Sequence, residues 1–116
     1  MNYAIIDIET TGDKPKNFNV IEIAIIKHDG KKELDRYTYF VDPQERINPF
    51  ISRLTGIHDS DVVGAPKFFE IAKEIVEFTK DCVFVAHNVS FDYGVMRREF
   101  KRLGYDYRLP HMCTVQ

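Results

Sequence analysis

Apolar positions in the chain fall into short blocks whose periods separate strands from helices. Residues 3–8, Tyr-Ala-Ile-Ile-Asp-Ile, are an apolar run broken by one acid. Thr10-Thr11-Gly12 closes it, which predicts a buried strand running into a loop. Residues 20–27 are β-branched and apolar, Asp29-Gly30 is a hairpin turn, and Tyr37, Tyr39 and Val41 alternate within 33–41, so an antiparallel meander opens the chain. Residues 42–66 are rich in Pro, Asn, Asp and Gly around an apolar piece at 50–54, the pattern of a long loop holding short helical turns. From Pro66 onward, Phe68, Ala72, Ile75, Val76 and Thr79 mark one face of a helix that must cover a sheet. The run Cys82-Val83-Phe84-Val85-Ala86 is apolar throughout and predicts a central strand buried on both faces. Phe91, Val95, Phe100 and Leu103 predict a second helix, with Gly104 as its terminator, and residues 112–115 begin another strand.

Composition narrows the class. At 116 residues, 44% hydrophobic and 29% charged, the chain has the make-up of one globular domain, without repeats or linker-like stretches. No apolar run reaches the roughly 18 to 20 residues needed to cross a bilayer, and no basic leader precedes the first strand, so a cytoplasmic, membrane-free protein is expected. Cys82 and Cys113 lack the spacing of a zinc site or a disulfide framework. With a net charge of −2 the surface offers no broad attraction for phosphates, so contact with nucleic acid must be local or metal-mediated.

Candidate chemistry begins on the first strand. Residues two apart on a strand share a face at roughly 6 to 7 Å, so Asp7 and Glu9 present two carboxylates together while Ile6 and Ile8 point the other way. Such a pair is either solvated at a strand end or neutralised by a hard divalent cation with oxygen ligands, Mg²⁺ or Mn²⁺. Thr10, Thr11 and Gly12 follow directly, two hydroxyls and a position where a ligand can approach the backbone closely. Far along the chain, Ala86-His87-Asn88-Val89-Ser90-Phe91-Asp92 places a third carboxylate in the first turn of a helix after a buried strand.

The strings D-I-E-T-T-G and A-H-N-V-S-F-D together resemble the first two motifs of the DEDD (DnaQ-like) superfamily of 3′→5′ exonucleases, the type found in the proofreading subunit of bacterial DNA polymerase III and in RNase T. Leu54-Thr55-Gly56-Ile57 is similar to the segment with which that family borders the terminal bases, and an ordinary helix end is the competing reading. The resemblance implies an RNase H-like α/β fold, a mixed sheet with an initial antiparallel meander and flanking helices. Asp7, Glu9 and Asp92 become catalytic metal ligands for two Mg²⁺ or Mn²⁺ ions. Thr10, Thr11, Gly12, Leu54, Thr55, Gly56, Asn88 and Phe91 become contacts to the substrate, and His87 is structural. The implied partners are a nucleic acid 3′ end, single-stranded DNA in the first place, and a DNA polymerase subunit.

The family's third motif, H-x-A-x-x-D, which carries the general base and a fourth carboxylate, is absent from the 116 residues. The expectation is therefore one exonuclease domain over 1–116 that lacks its C-terminal part, holds no general base, and is weakly active or inactive by itself. Two other readings share these motifs: an RNA 3′-end-trimming exoribonuclease, and a non-catalytic nucleic-acid-binding module on the same fold. The basic stretch Arg97, Arg98, Lys101, Arg102 and Arg108 reads either as a solvated face or as phosphate contacts. His28, His58 and His111 have no partner at ligand spacing.

Overall fold

A computed structural model of the protein describes residues 1–12 and 19–114. Its centre is a five-stranded sheet of order β3-β2-β1-β4-β5, with β1 Asn2–Thr10, β2 Val20–His28, β3 Glu33–Phe40, β4 Cys82–Ala86 and β5 His111–Cys113. The first three strands are the antiparallel meander read from the alternation, while β4 runs parallel to β1 and β5 parallel to β4. β1 is thus the strand where the antiparallel and parallel halves meet. Val115, expected in the last strand, lies outside the described residues.

One sheet face is dry. Ala4, Ile6 and Ile8 of β1, Ile23 and Ile25 of β2, and Cys82, Phe84 and Ala86 of β4 pack against two helices, α3 (Phe68–Thr79) and α4 (Val89–Arg102). α3 starts two residues after Pro66, where the Glu70 carboxylate accepts the Lys67 N–H at 2.9 Å and so satisfies a donor at the helix entrance. Its buried face is Phe68, Ile71, Ala72, Ile75 and Thr79, so Ile71 joins the expected stripe and Val76 is only half-buried. Contrary to expectation, β4 is fully covered on one face only, because Val83 on the other side is half-exposed.

The long segment after β3 holds two short helices, α1 (Pro49–Thr55) and α2 (Asp59–Val62). It has a small core of its own, formed by Ile47, Ile51, Ile57 and Val62 around Ile21 of β2. Asn48 accepts the Phe50 N–H at 2.8 Å to start α1, and Asp59 accepts the Ile47 N–H at 2.9 Å. Among the described residues no helix is long and apolar enough to cross a membrane.

Candidate active site

β1 and β4 run parallel, with Ile5 beside Val85, so both leave the sheet at the same end. Asp7 and Glu9 occupy that end of β1, and the turn after β4 returns directly into α4, whose first turn carries Asp92. Strand direction thus brings two distant parts of the chain to one edge, where the carboxyl ends of parallel strands form a crevice in open α/β sheets.

The three acids differ in setting. Asp7 is exposed, Glu9 half-buried, and Asp92 is 8% exposed. The Asp92 carboxyl is pushed up to about 6, first by burial and then by the charges of Asp7 and Glu9, against a smaller opposing pull from the N–H groups of Asn88 and Asp92. Glu9 is raised as well, by burial, by Asp7 and by Glu22. Glu22 stands directly across from Glu9 in the antiparallel pair β1–β2, beside an irregularity in register between Glu9 and Thr10. Sequence reading missed Glu22, whose only signal was one acid inside an apolar strand.

A divalent ion fits the chemistry of this donor set, carboxylate oxygens among which Asp7 and Glu9 push Asp92 up and Asp7 pushes Glu9 up, a repulsion that a hard cation would relieve. Their side chains stand apart as found. Among the described residues no group of three His, Cys, Asp or Glu converges closely enough to hold an ion without rearrangement.

The segment after Glu9 is firmly tied. Thr10 and Thr11 are buried, at 6% and 4% exposure, and their hydroxyls donate to the Gly12 carbonyl and to the Glu45 carboxylate, each at 2.9 Å. The Thr11 hydroxyl also accepts the Asn19 N–H at 3.2 Å, so both hydroxyls are engaged within the fold. No heavy atom among the described residues comes within 4 Å of where a Cβ would sit on Gly12, so that backbone is open to approach.

Leu54, Thr55 and Gly56 form the end of α1. Gly56 adopts φ +79° and donates its N–H to Ser52, and the Thr55 hydroxyl donates to Ile51 at 2.8 Å, so the helix-end reading holds for both. Leu54, however, is 71% exposed, with Phe50 one turn before it at 52%. An apolar pair on the outer side of a capped helix suits contact with a base. Asn88 is exposed at the head of α4 and makes no side-chain cap bond, while Phe91 packs against the core yet stays half-exposed. His87, expected to be structural, is solvent-exposed in the turn before α4.

The basic stretch divides. Arg97 and Arg108 both bind Asp106, at 2.9 and 2.7 Å, and Arg97 also donates to the Tyr107 carbonyl at 3.1 Å, so these two secure the loop after α4. Arg102 pairs with Glu99 at 3.2 Å. His111 stacks on Tyr93 at 4.2 Å, and the His28 Nδ1 accepts the Gly30 N–H at 3.0 Å, both away from any ligand role.

The RNase T exonuclease family model matches residues 4–116. A PolC-type DNA polymerase III of Caldanaerobacter subterraneus subsp. tengcongensis is 42% identical over 102 residues, covering 88% of this chain and 7% of that protein. The 3′-5′ exonuclease DinG of Staphylococcus aureus is 38% identical over 106 residues, 91% of this chain and 12% of its own length. Among solved structures, product-bound exonuclease I superposes with a TM-score of 0.85 at 20% identity, over 97% of this chain and 29% of that one, a likeness of fold. The chain thus spans about a tenth of the length of these curated relatives. The mixed sheet with its flanking helices is the RNase H-like arrangement of those exonucleases, and the family depends on divalent metal. The chain belongs to the RNase T-type exonuclease family.

Proposed function

We propose that the protein carrying this chain is a 3′→5′ exonuclease that hydrolyses the terminal phosphodiester of DNA, with residues 1–116 as one exonuclease domain and Asp7, Glu9 and Asp92 as ligands of Mg²⁺ or Mn²⁺. The observation that carries this reading is the coupling of the three acids: Asp92 sits near 6 because Asp7 and Glu9 add their charge to its burial. Carboxylates crowded this way are unfavourable for folding and useful for holding a cation. The preference for DNA draws on the relative that is a DNA polymerase III, which also makes a polymerase context the natural one.

Asp7, Glu9 and Asp92 would hold two hard divalent ions, which when bound would supply an activated water and charge neutralisation at the scissile phosphate. The chain's own part is placement. β1 supplies Asp7 and Glu9 from a strand locked between two neighbours, and α4 supplies Asp92 from its first turn. Gly12 leaves room for the terminal sugar, while exposed Leu54 and half-exposed Phe91 offer apolar surface to the last bases without reading their identity, as removal of any nucleotide requires. Single-stranded ends suit such contacts, since stacking on an apolar side chain uses the face of an unpaired base.

In the decisive experiment, the whole protein that carries this chain, with Mn²⁺, shortens a 5′-labelled single strand one nucleotide at a time from its 3′ end, and Asp7→Ala abolishes the ladder, while residues 1–116 alone digest it weakly or not at all. Internal cuts, or a ladder that survives the substitution, would overturn the assignment.

A further inference from the structure

Glu45 lies in the long segment between β3 and α1, is exposed, and belongs to neither family-like motif. Its carboxylate nevertheless accepts the Thr11 hydroxyl at 2.9 Å, two residues beyond Glu9. The same oxygen accepts the side-chain amide of Asn19. Asn19 in turn accepts Arg102 Nη1 at 2.6 Å, and that nitrogen also donates to Glu99 at 3.2 Å. The other oxygen of Glu99 accepts the Val20 N–H at 3.0 Å. Glu99 is 6% exposed and lies seven residues after Asp92 on α4, two turns along the same side of the helix. A continuous polar chain therefore runs from the helix of Asp92 to the residue pair that follows the β1 acids.

Backbone bonds complete the clamp. The Thr11 N–H donates to Asn19 at 2.9 Å, the Asn19 N–H donates to the Thr11 hydroxyl at 3.2 Å, and the Thr11 carbonyl accepts the Asn48 N–H at 3.0 Å. Thr11 is held from three directions, and the Glu45 side chain reaches it from an exposed position. Its loss would remove one acceptor of the Thr11 hydroxyl while leaving the apolar core side chains in place. β1 and α4, which carry the three metal-binding acids, are fixed by the sheet ladder and by apolar packing instead. Position of the pocket wall and position of the acids thus rest on different interactions.

We infer that Glu45 is a positioning residue for 3′-end binding, which through Thr11 sets where Gly12 meets the terminal nucleotide and which is rooted on α4 by Asn19, Arg102 and Glu99. This rests on the exonuclease reading. The test measures three quantities on the same chain with Glu45 intact, as Glu45→Ala and as Glu45→Gln: Mn²⁺ affinity by calorimetry, thermal midpoint, and anisotropy of a short single strand in Ca²⁺ with its 3′ end either free or blocked by a phosphate. Glu45→Ala is expected to weaken binding of the free 3′ end about tenfold, the size of one hydrogen bond to a charged group. Mn²⁺ affinity should stay within about twofold, because no metal ligand moves. Glu45→Gln, whose amide oxygen can still accept the Thr11 hydroxyl, should recover most of the loss. Equal binding by Glu45→Ala and the unaltered chain overturns the inference, as does a parallel fall in Mn²⁺ affinity, which would mark a general structural role. An unaltered chain that fails to prefer the free end over the blocked one overturns the exonuclease reading itself, and this inference with it.

Discussion

The two faces of β1 use one backbone for opposite purposes. Ala4, Ile6, Ile8 and Thr10 on one side are between 0 and 6% exposed, under α3 and α4. On the other side Ile5 and Glu9 are half-buried and Asp7 is open. Hydrogen bonding is common to both faces, since the same ladder to β2 and β4 runs along the strand. What differs is the sign of the energy. Apolar burial on the first face stabilises the fold, whereas the like charges of Asp7 and Glu9 on the second act against each other and against Asp92. A rigid ladder lets the first face hold the second in an arrangement that charge alone would scatter.

Substitution should separate the faces cleanly. Ile6→Ala removes a side chain that is 2% exposed and should lower unfolding free energy by about 3 kcal/mol in a denaturant titration, with Mn²⁺ affinity preserved in whatever chain remains folded. A loss below about 1 kcal/mol would mean that the helices do not close over this strand. Asp7→Ala should behave in the opposite manner. Stability without metal stays level or rises, since a like charge beside Glu9 and Asp92 is gone, while calorimetry shows Mn²⁺ affinity down by at least about a hundredfold. Unchanged affinity would remove the carboxylate face from the metal site.

Titration sharpens the contrast further. Asp92 is raised to about 6 and Glu9 is raised too, so these two acids bind protons more tightly in the folded chain than in the unfolded one. Their contribution to metal-free stability is therefore present in full below the ordinary carboxylate range and falls as pH climbs from about 4 through about 6, by on the order of 2 kcal/mol for Asp92. Saturating Mn²⁺ should reverse this slope, because the ion binds the deprotonated acids. Thermal midpoints at pH 5 and pH 7.5, with and without metal, check both signs, and a metal-free midpoint that rises with pH would contradict the crowding. The smallest effect is expected at Leu54, which is 71% exposed and supports neither face. Leu54→Ala should leave stability unchanged and weaken 3′-end binding about threefold by anisotropy, through lost apolar contact.

Much of this layout was legible before any coordinates. Alternation along β1 separated Ile6 and Ile8 from Asp7 and Glu9, since side chains two apart on a strand must share a face. The strand-then-helix setting of Asp92 was legible too, from the apolar run of β4 and the helical period after it. Phe91 and Leu103 are among the apolar positions that mark α4 in the sequence, yet Phe91 is half-exposed and Leu103 is 45% exposed. Val89, Met96 and the acid Glu99 fill the buried stripe of α4 instead. A polar residue buried by its partners defeats a reading based on hydrophobic period, because the period counts side chains and ignores what they bond to. Glu22 escaped notice for a related reason: its place opposite Glu9 depends on strand register, which runs unbroken from the Tyr3–His28 pair to this one and which local pattern does not show.

By itself the sequence determined the kinds of element, the pairing of Asp7 with Glu9, and the family, because period and motif are properties of neighbours along the chain. Only the tertiary structure decided which carboxylates share a field, that Asp92 is the buried one, and that Glu45 reaches Thr11. Those facts depend on strand direction, register and helix docking, which bring together residues that local pattern cannot relate.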